Sequence, residues 1–475
     1  MRAELRDTLL ATLGYHDLEE AAGVLAIDGC HIATVDGTGT EHPAGYLVMQ
    51  DDRIAAVGPG PLPARYADAR RIDGSGRLAT PGLVNTHHHL YQWITRGYAT
   101  DDTLFGWLTT LYPVWARLDA DLVHASAAAN LGWLALTGCS TTTDHHYVFP
   151  TGRGDLLEAE ILAARQIGLR FHPARGSMNL GQSAGGLPPD SVVESHDDIL
   201  AATQAAIDRW HDPSPGAMTR IAVAPCSPFS VTAELMRDSA ELARRAGVRM
   251  HTHLAETLEE DEFCRETYGR TPAQYAEDLG WLGRDVWLAH CVHLSAEAIG
   301  RLAATGTGVA HCPTSNGRLG SGIAPVRALL QAGAPVGLGV DGSASNESGR
   351  MIDELHQALL AARFRDGPLA LSARASLRMA TIGGARCLGR EEELGSLAEG
   401  KLADVALWRV DDLAGAGIAD PVCTLVFGAP ALDRLWVGGR PVVSGGELVT
   451  ADPAELAAGA AAASARISGH LRAGT

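Results

Sequence analysis

The sequence has no CxxC pair, no long apolar run and no excess of basic residues, and each absence removes a class of explanation. Its eight cysteines, Cys30, Cys139, Cys226, Cys264, Cys291, Cys312, Cys387 and Cys423, are scattered. Neither a zinc ribbon nor a disulfide framework is therefore expected. Several sit in apolar runs, where cysteine acts as a small core residue, and a reducing cytoplasm is the expected location. No stretch has the apolar length needed to span a bilayer. Residues 1–20 mix charges with short apolar runs and do not read as a secretory leader, so no membrane partner is expected. Lys and Arg number 38 against 56 Asp and Glu, a formal net charge of -18. Such a surface repels phosphates, so no nucleic-acid polymer is expected as a partner.

What is present is ordinary globular material: 46% hydrophobic and 20% charged residues over 475 positions, with no sign of disorder. That length allows an α/β barrel of roughly 250 residues plus a smaller companion. Residues 1–22 read as an N-terminal extension, a short amphipathic helix without an assigned role. From Val24 onward, short strand-like runs at 24–27, 31–35, 45–49 and 53–57 are separated by Gly, Asp and Pro. Gln50-Asp51-Asp52-Arg53 is a turn between two of them. The same texture returns at 403–408, 435–437 and 441–443. One small β-sandwich domain, 23–79 plus 397–452, is therefore expected from both chain ends, followed by a C-terminal helix over 453–475.

The intervening segment, 80–396, alternates apolar runs with longer helical patterns. Eight strands are predicted, at 83–87, 140–145, 170–175, 220–226, 249–253, 286–290, 308–312 and 336–341. Runs such as Val336-Gly337-Leu338-Gly339-Val340 are apolar throughout, as parallel strands buried on both faces must be. Eight such strands with helices between them predict a (β/α)8 TIM-like barrel. Almost every run ends in His, Asp, Arg or Cys, and strand C-terminal ends converge on the mouth that carries a barrel's active site.

Within Asn85-Thr86-His87-His88-His89, His87 and His89 stand two apart and share one face of a strand, while His88 points away. Two neutral imidazoles on one face suit zinc. His251-Thr252-His253 repeats the pair, with Glu256 three residues on. His290 and Asp341 end two further runs. Each alone is as easily a core histidine or a helix-capping aspartate; their joint placement at strand ends favours a metal site.

Pro81 to His89, His251 to Glu256, Leu288-Ala289-His290 and Gly339-Val340-Asp341-Gly342 resemble the signatures of the amidohydrolase superfamily, in its cytosine and guanine deaminase-like branch. The resemblance runs from about Val24 to the end of the chain. It implies one zinc per chain, with Fe2+ or another divalent metal as the alternative, held by His87, His89, His253 and Asp341. It implies Glu256 as proton shuttle, His290 as hydrogen-bond donor to the reacting group, and Asp341 as a second proton-handling residue. His251 is the competing assignment for the strand-five ligand. A two-metal site is the runner-up, but the fourth strand ends in Val223-Ala224-Pro225-Cys226, without the bridging Lys or Glu of two-metal members.

Within the branch the motifs look most like the 8-oxoguanine deaminases, which implies hydrolytic removal of ammonia from an amino-substituted, purine-like ring. Triazine hydrolases and guanine or isoxanthopterin deaminases share much of the frame. A catalytically silent barrel kept as a scaffold is the non-enzymatic alternative; under it the candidate ligands should have decayed, and all are present. Expected substrate contacts are Gln92, whose amide can pair with a ring amide edge, Arg175 toward a ring carbonyl, Cys226 at the mouth, and Tyr112 and Trp115 as stacking platforms. Residues 177–197, long and rich in Gly and Pro, are expected to form a lid. A homo-oligomer acting on a small heterocycle is the expected functional form.

Overall fold

The computed structural model describes residues 23–468. The expected helix over 1–22 and the end of the expected C-terminal helix lie outside them. Strands β1 to β5 (Val24–Ala33, Glu41–Gln50, Arg53–Pro59, Arg70–Asp73 and Arg77–Pro81) open the described chain. Strands β14 to β17 (Val405–Arg409, Leu432–Val437, Arg440–Ser444 and Glu447–Leu448) come near its end. Together they form a nine-stranded sheet in the order β17-β16-β15-β14-β5-β1-β2-β3, with β4 also paired to β1. The two arms join edge to edge because β5 pairs with β1 on one side and antiparallel with β14 on the other. Both arms feed one apolar core, including Ile27, Leu47, Val405, Leu407 and Trp436. The two early runs at 24–27 and 31–35 are one strand with register shifts between Asp28 and Ile32.

Between the arms, β6 to β13 (Leu83–Asn85, Cys139–His146, Arg170–Ser177, Ala222–Pro225, Arg249–Leu254, Val286–His290, Gly308–His311 and Val336–Leu338) close into a parallel barrel. All eight predicted strands are present. Closure is made by the Leu338–Asn85 pairing of β13 with β6. The helices between them follow local chemistry. Asp155, Thr232 and Ser295 each accept an N–H from three residues on, satisfying donors that a helix start leaves free. Gly247 and Gly306, at φ 68° and 71°, end the helices that precede β10 and β12, in a left-handed conformation where a side chain would be strained. No helix among the described residues is long and apolar enough to cross a membrane.

The barrel interior is filled from below by Trp287 of β11. It packs among Val84, Ala174, Ala222, Ala224 and Ala310, contributed by four other strands. Its indole N–H donates to Thr86 O at 2.9 Å, and its ring stacks on His251 at 4.5 Å. The surrounding alanines leave room for one large ring. Trp287→Ala is accordingly expected to destabilise the chain by about 3–5 kcal/mol. Chemical denaturation would show it as a lowered unfolding midpoint, and an unchanged midpoint would contradict the plug.

Candidate metal centre and active site

The mouth is built from the strand ends upward. Asn85 fixes the end of β6: its amide N–H donates to Thr142 Oγ1 at 3.0 Å, and its Oδ1 accepts from Val340 N–H at 2.9 Å. The next residues turn inward. His87 Nε2 and His89 Nε2 each lie 3.3 Å from Asp341 Oδ1, and His89 Nε2 lies 3.2 Å from His253 Nε2. All four side chains are buried. His88 turns away, its Nδ1 accepting the His89 N–H at 2.8 Å.

The other ring nitrogens settle the tautomers. His89 Nδ1 faces His145 O at 2.7 Å, and His253 Nδ1 faces Cys226 O at 2.7 Å. A carbonyl only accepts, so both Nδ1 atoms carry the proton. His251 Nδ1 faces Trp287 O at 2.8 Å, leaving its Nε2 to accept from His87 Nδ1 at 2.8 Å. The Nε2 lone pairs of His87 and His89 therefore face the Asp341 carboxylate, and that of His253 faces His89. Two of them face each other at 3.2 Å with no proton between, and His87 Nε2 is buried without a hydrogen-bond partner. This is the outer-shell arrangement of metal-bound histidines, and the donor set fits a divalent cation.

Charge states agree. Burial pushes His87 and His253 well below the usual imidazole range and His89 down to about 4, so all three are neutral ligands. Burial would raise the Asp341 carboxyl, but its contacts with His87, His290 and His89 hold it well below the carboxylate range. Its Oδ2 accepts from Ser315 Oγ and its Oδ1 from Gly342 N–H, each at 2.6 Å. His145 also brings a ring nitrogen near His87 and His253; its Nε2 donates to Ala224 O at 2.8 Å, which leaves its Nδ1 buried without a partner. Behind the site, Asp144 Oδ1 accepts the Leu90 N–H at 2.5 Å and anchors the turn after His89.

Beside the ligands, Glu256 Oε2 lies 3.5 Å from His290 Nε2, and His290 Nδ1 bonds Asn316 Oδ1 at 2.9 Å. Burial pushes Glu256 up to about 7, with His290 pulling it down and Asp341 pushing it up. Burial lowers His290, but Glu256 and Asp341 raise it overall. The pair can hold or release a proton near neutrality. Four non-glycine residues at these strand ends, Ala255, His290, Cys291 and Asp341, adopt left-handed φ between 51° and 69°. Such backbone is costly and collects at functional sites.

One cavity joins these groups: His89, His253, Glu256, His290 and Asp341 border it. Tyr112 and Cys226, both expected as substrate contacts, line it, with Tyr147 and Ser227. Burial pushes the Cys226 thiol up to about 12, so without a metal beside it the thiol is neutral. Three other expected contacts do not line the cavity. Arg175 does not reach the cavity: its guanidinium pairs with Glu194 at 2.9 and 2.6 Å and lies 3.9 Å over the Phe149 ring. Gln92 is buried behind the site, with Oε1 accepting the Ala344 N–H at 3.3 Å. Trp115 is core, its indole N–H donating to Thr95 Oγ1 at 3.2 Å and its ring packed on Tyr91 and Trp107. The 177–197 segment lines no part of the cavity, and Glu194 ties it back to β8. The wall comes instead from the helix Leu104–Trp115, through Leu104, Trp107, Leu108 and Tyr112, facing Phe229 and Leu319. Their spacing of three and four residues was the available signal.

The Amidohydrolase family model matches residues 78–442. The chain belongs to the amidohydrolase family. It is 48% identical to an 8-oxoguanine deaminase of Pseudomonas aeruginosa over 431 residues, covering 90% of this chain and 96% of that protein. An isoxanthopterin deaminase from an unknown prokaryotic organism is 39% identical, covering 84% of this chain and 87% of its own. Among solved structures, an atrazine chlorohydrolase from Arthrobacter aurescens, complexed with zinc, superposes with a TM-score of 0.87 at 36% identity, covering 93% of this chain and 100% of its own. With these relatives and this site, the chain is a metal-dependent hydrolytic deaminase.

Proposed function

We propose that the chain hydrolyses 8-oxoguanine to urate and ammonia, with zinc as its metal. The observation that carries this reading is the Glu256–His290 pair set in one cavity beside His89, His253 and Asp341, with His87 grouped against His89 and Asp341 behind them. His87, His89, His253 and Asp341 would hold the metal, which when bound supplies a Lewis acid that brings water ionisation down to roughly pH 7. Asp341, ionised, accepts a proton from the attacking water. Glu256, protonated, donates to the ring nitrogen beside the amino-bearing carbon and makes that carbon electrophilic. His290 donates a hydrogen bond to the tetrahedral intermediate. Glu256 recovers the proton that Asp341 took from water and delivers it to the departing amine; the carbon–nitrogen bond breaks to release ammonia, and the intermediate's hydroxyl proton returns to Glu256.

The walls suit a flat neutral ring. Trp107, Leu108, Phe229 and Leu319 offer apolar faces, and among the described residues no Lys or Arg lines the cavity, which disfavours a phosphate- or carboxylate-bearing substrate. Tyr112 Oη is buried without a partner, and with Cys226 and Tyr147 it would offer polar groups to the ring edge. A site built on such hydrogen bonds discriminates against rings that cannot answer them.

The test is ammonia release across 8-oxoguanine, guanine, isoxanthopterin and an alkylamino-triazine, the last read by amine release. 8-Oxoguanine is expected to lead in kcat/KM by at least about tenfold, the scale of a single lost contact. A faster alternative ring would reassign the substrate. No ammonia from any purine or pterin would end the deaminase reading.

A further inference from the structure

Glu260 plays no part in the reaction above, yet both of its carboxylate oxygens are committed next to it. Oε1 accepts the Ala255 N–H and Oε2 accepts the Glu256 N–H, each at 2.8 Å. Glu260 is buried, on the first turn of the helix Leu258–Tyr268. That helix is already capped: Thr257 Oγ1 accepts the Glu260 N–H at 3.3 Å. In the usual reciprocal cap, a glutamate at this position returns to the N–H of the capping residue. Here the carboxylate passes the capping residue and takes the two N–H groups before it. Ala255, the first of these, has φ 52°, a conformation alanine seldom adopts unless its surroundings hold it.

Burying a carboxylate is expensive unless several donors meet it. A helix that already has a threonine cap gains little from a second, buried one. What the contact does fix is the Ala255–Glu256 peptide, and through it the direction in which the Glu256 side chain leaves the end of β10. We propose that Glu260 is a positioning residue that holds Glu256 toward His290 and the cavity. The proposal rests on the deaminase reading for its kinetic consequence, and on geometry alone for the tether.

Two measurements on the full-length, metal-loaded protein separate these. The first is kinetic, on whichever ring the wild type deaminates. Glu260→Gln keeps size and one acceptor oxygen; Glu260→Ala removes both. A shift of about 1 Å in a reacting group costs on the order of 100-fold, so Glu260→Ala is expected to lower kcat by about that factor and Glu260→Gln by less. KM and bound metal should stay near wild-type values. Unchanged kcat in both variants would overturn the proposal, as would parallel loss of kcat, KM and metal, which marks a general structural role. The second is amide hydrogen exchange, which needs no substrate. Exchange at Ala255 and Glu256 should accelerate by at least about tenfold in Glu260→Ala, with Glu260→Gln between it and the wild type. Unchanged exchange at both amides would also overturn the proposal. If the wild type deaminates none of the rings, the functional reading fails while the tether is still decided by exchange.

Discussion

Glu256→Gln is expected to reduce kcat by about 1,000-fold, within the range that a positioned acid–base group supplies. Bound metal should be unchanged. The substitution is nearly isosteric and removes only the ability to carry a proton between the ring nitrogen and the leaving amine. Glu256 is not among the metal-converging groups; its carboxylate faces His290 at 3.5 Å. Loss should therefore fall on kcat and kcat/KM together, the pattern of an interaction made in the transition state, with KM altered by no more than about threefold. Steady-state ammonia release together with metal analysis reads all three quantities. Activity within a few-fold of wild type would remove Glu256 from the proton pathway and leave Asp341 as the carboxylate, among the described residues lining the cavity, able to serve. The burial that lifts Glu256 to about 7 is what makes it usable: an exposed glutamate would be ionised near neutrality and would have no proton to donate.

The barrel was legible because its strands are buried on both faces, so Val336 to Val340 or Val286 to His290 read as unbroken apolar runs ending in one polar residue. The sheet built from both chain ends was legible from its recurring short strands. Its continuity was not. The joining strand β5, Arg77–Pro81, has five residues and ends in proline, and nothing in its composition marks it as paired on both sides. Site residues divided in the same way. Histidines two apart on a strand announce a shared face, and the structure brings His87, His89, His253 and Asp341 together. Arg175 ends a strand as the others do, but its partner Glu194 lies in an irregular segment nineteen residues away, which no periodicity reveals. Gln92 faces the same difficulty, since its acceptor role is met by a backbone N–H of the loop after β13. Left-handed backbone at Ala255, His290 and Asp341 has no signature in residue type, because it is imposed by the packing around the mouth.

His253→Ala and His251→Phe should separate sharply in metal binding, although both alter an imidazole of the same strand. His253 contributes an Nε2 lone pair to the cluster while its Nδ1 is fixed by Cys226 O. Removing it deletes a ligand, and His253→Ala is expected to retain no metal through gel filtration and no measurable ammonia release. His251 contributes no lone pair to the cluster. Its Nε2 receives the His87 Nδ1 proton, and its ring lies flat on Trp287. Phenylalanine keeps that stack and removes only the acceptor, so His87 Nδ1–H loses its partner and the ring is free to place its proton on Nε2, where it blocks ligation. Loss of an outer-shell partner of this kind costs about 10- to 100-fold in metal affinity or activity. Titration of metal-free protein with zinc should therefore show weaker but saturable binding for His251→Phe, and activity recovered at high zinc. The reverse order, with His253→Ala still loading metal and His251→Phe unable to, would move the strand-five ligand by two residues. It would also leave the His87 Nδ1 proton without its acceptor, because His251 Nε2 cannot accept a proton from His87 and donate its lone pair to a metal at once.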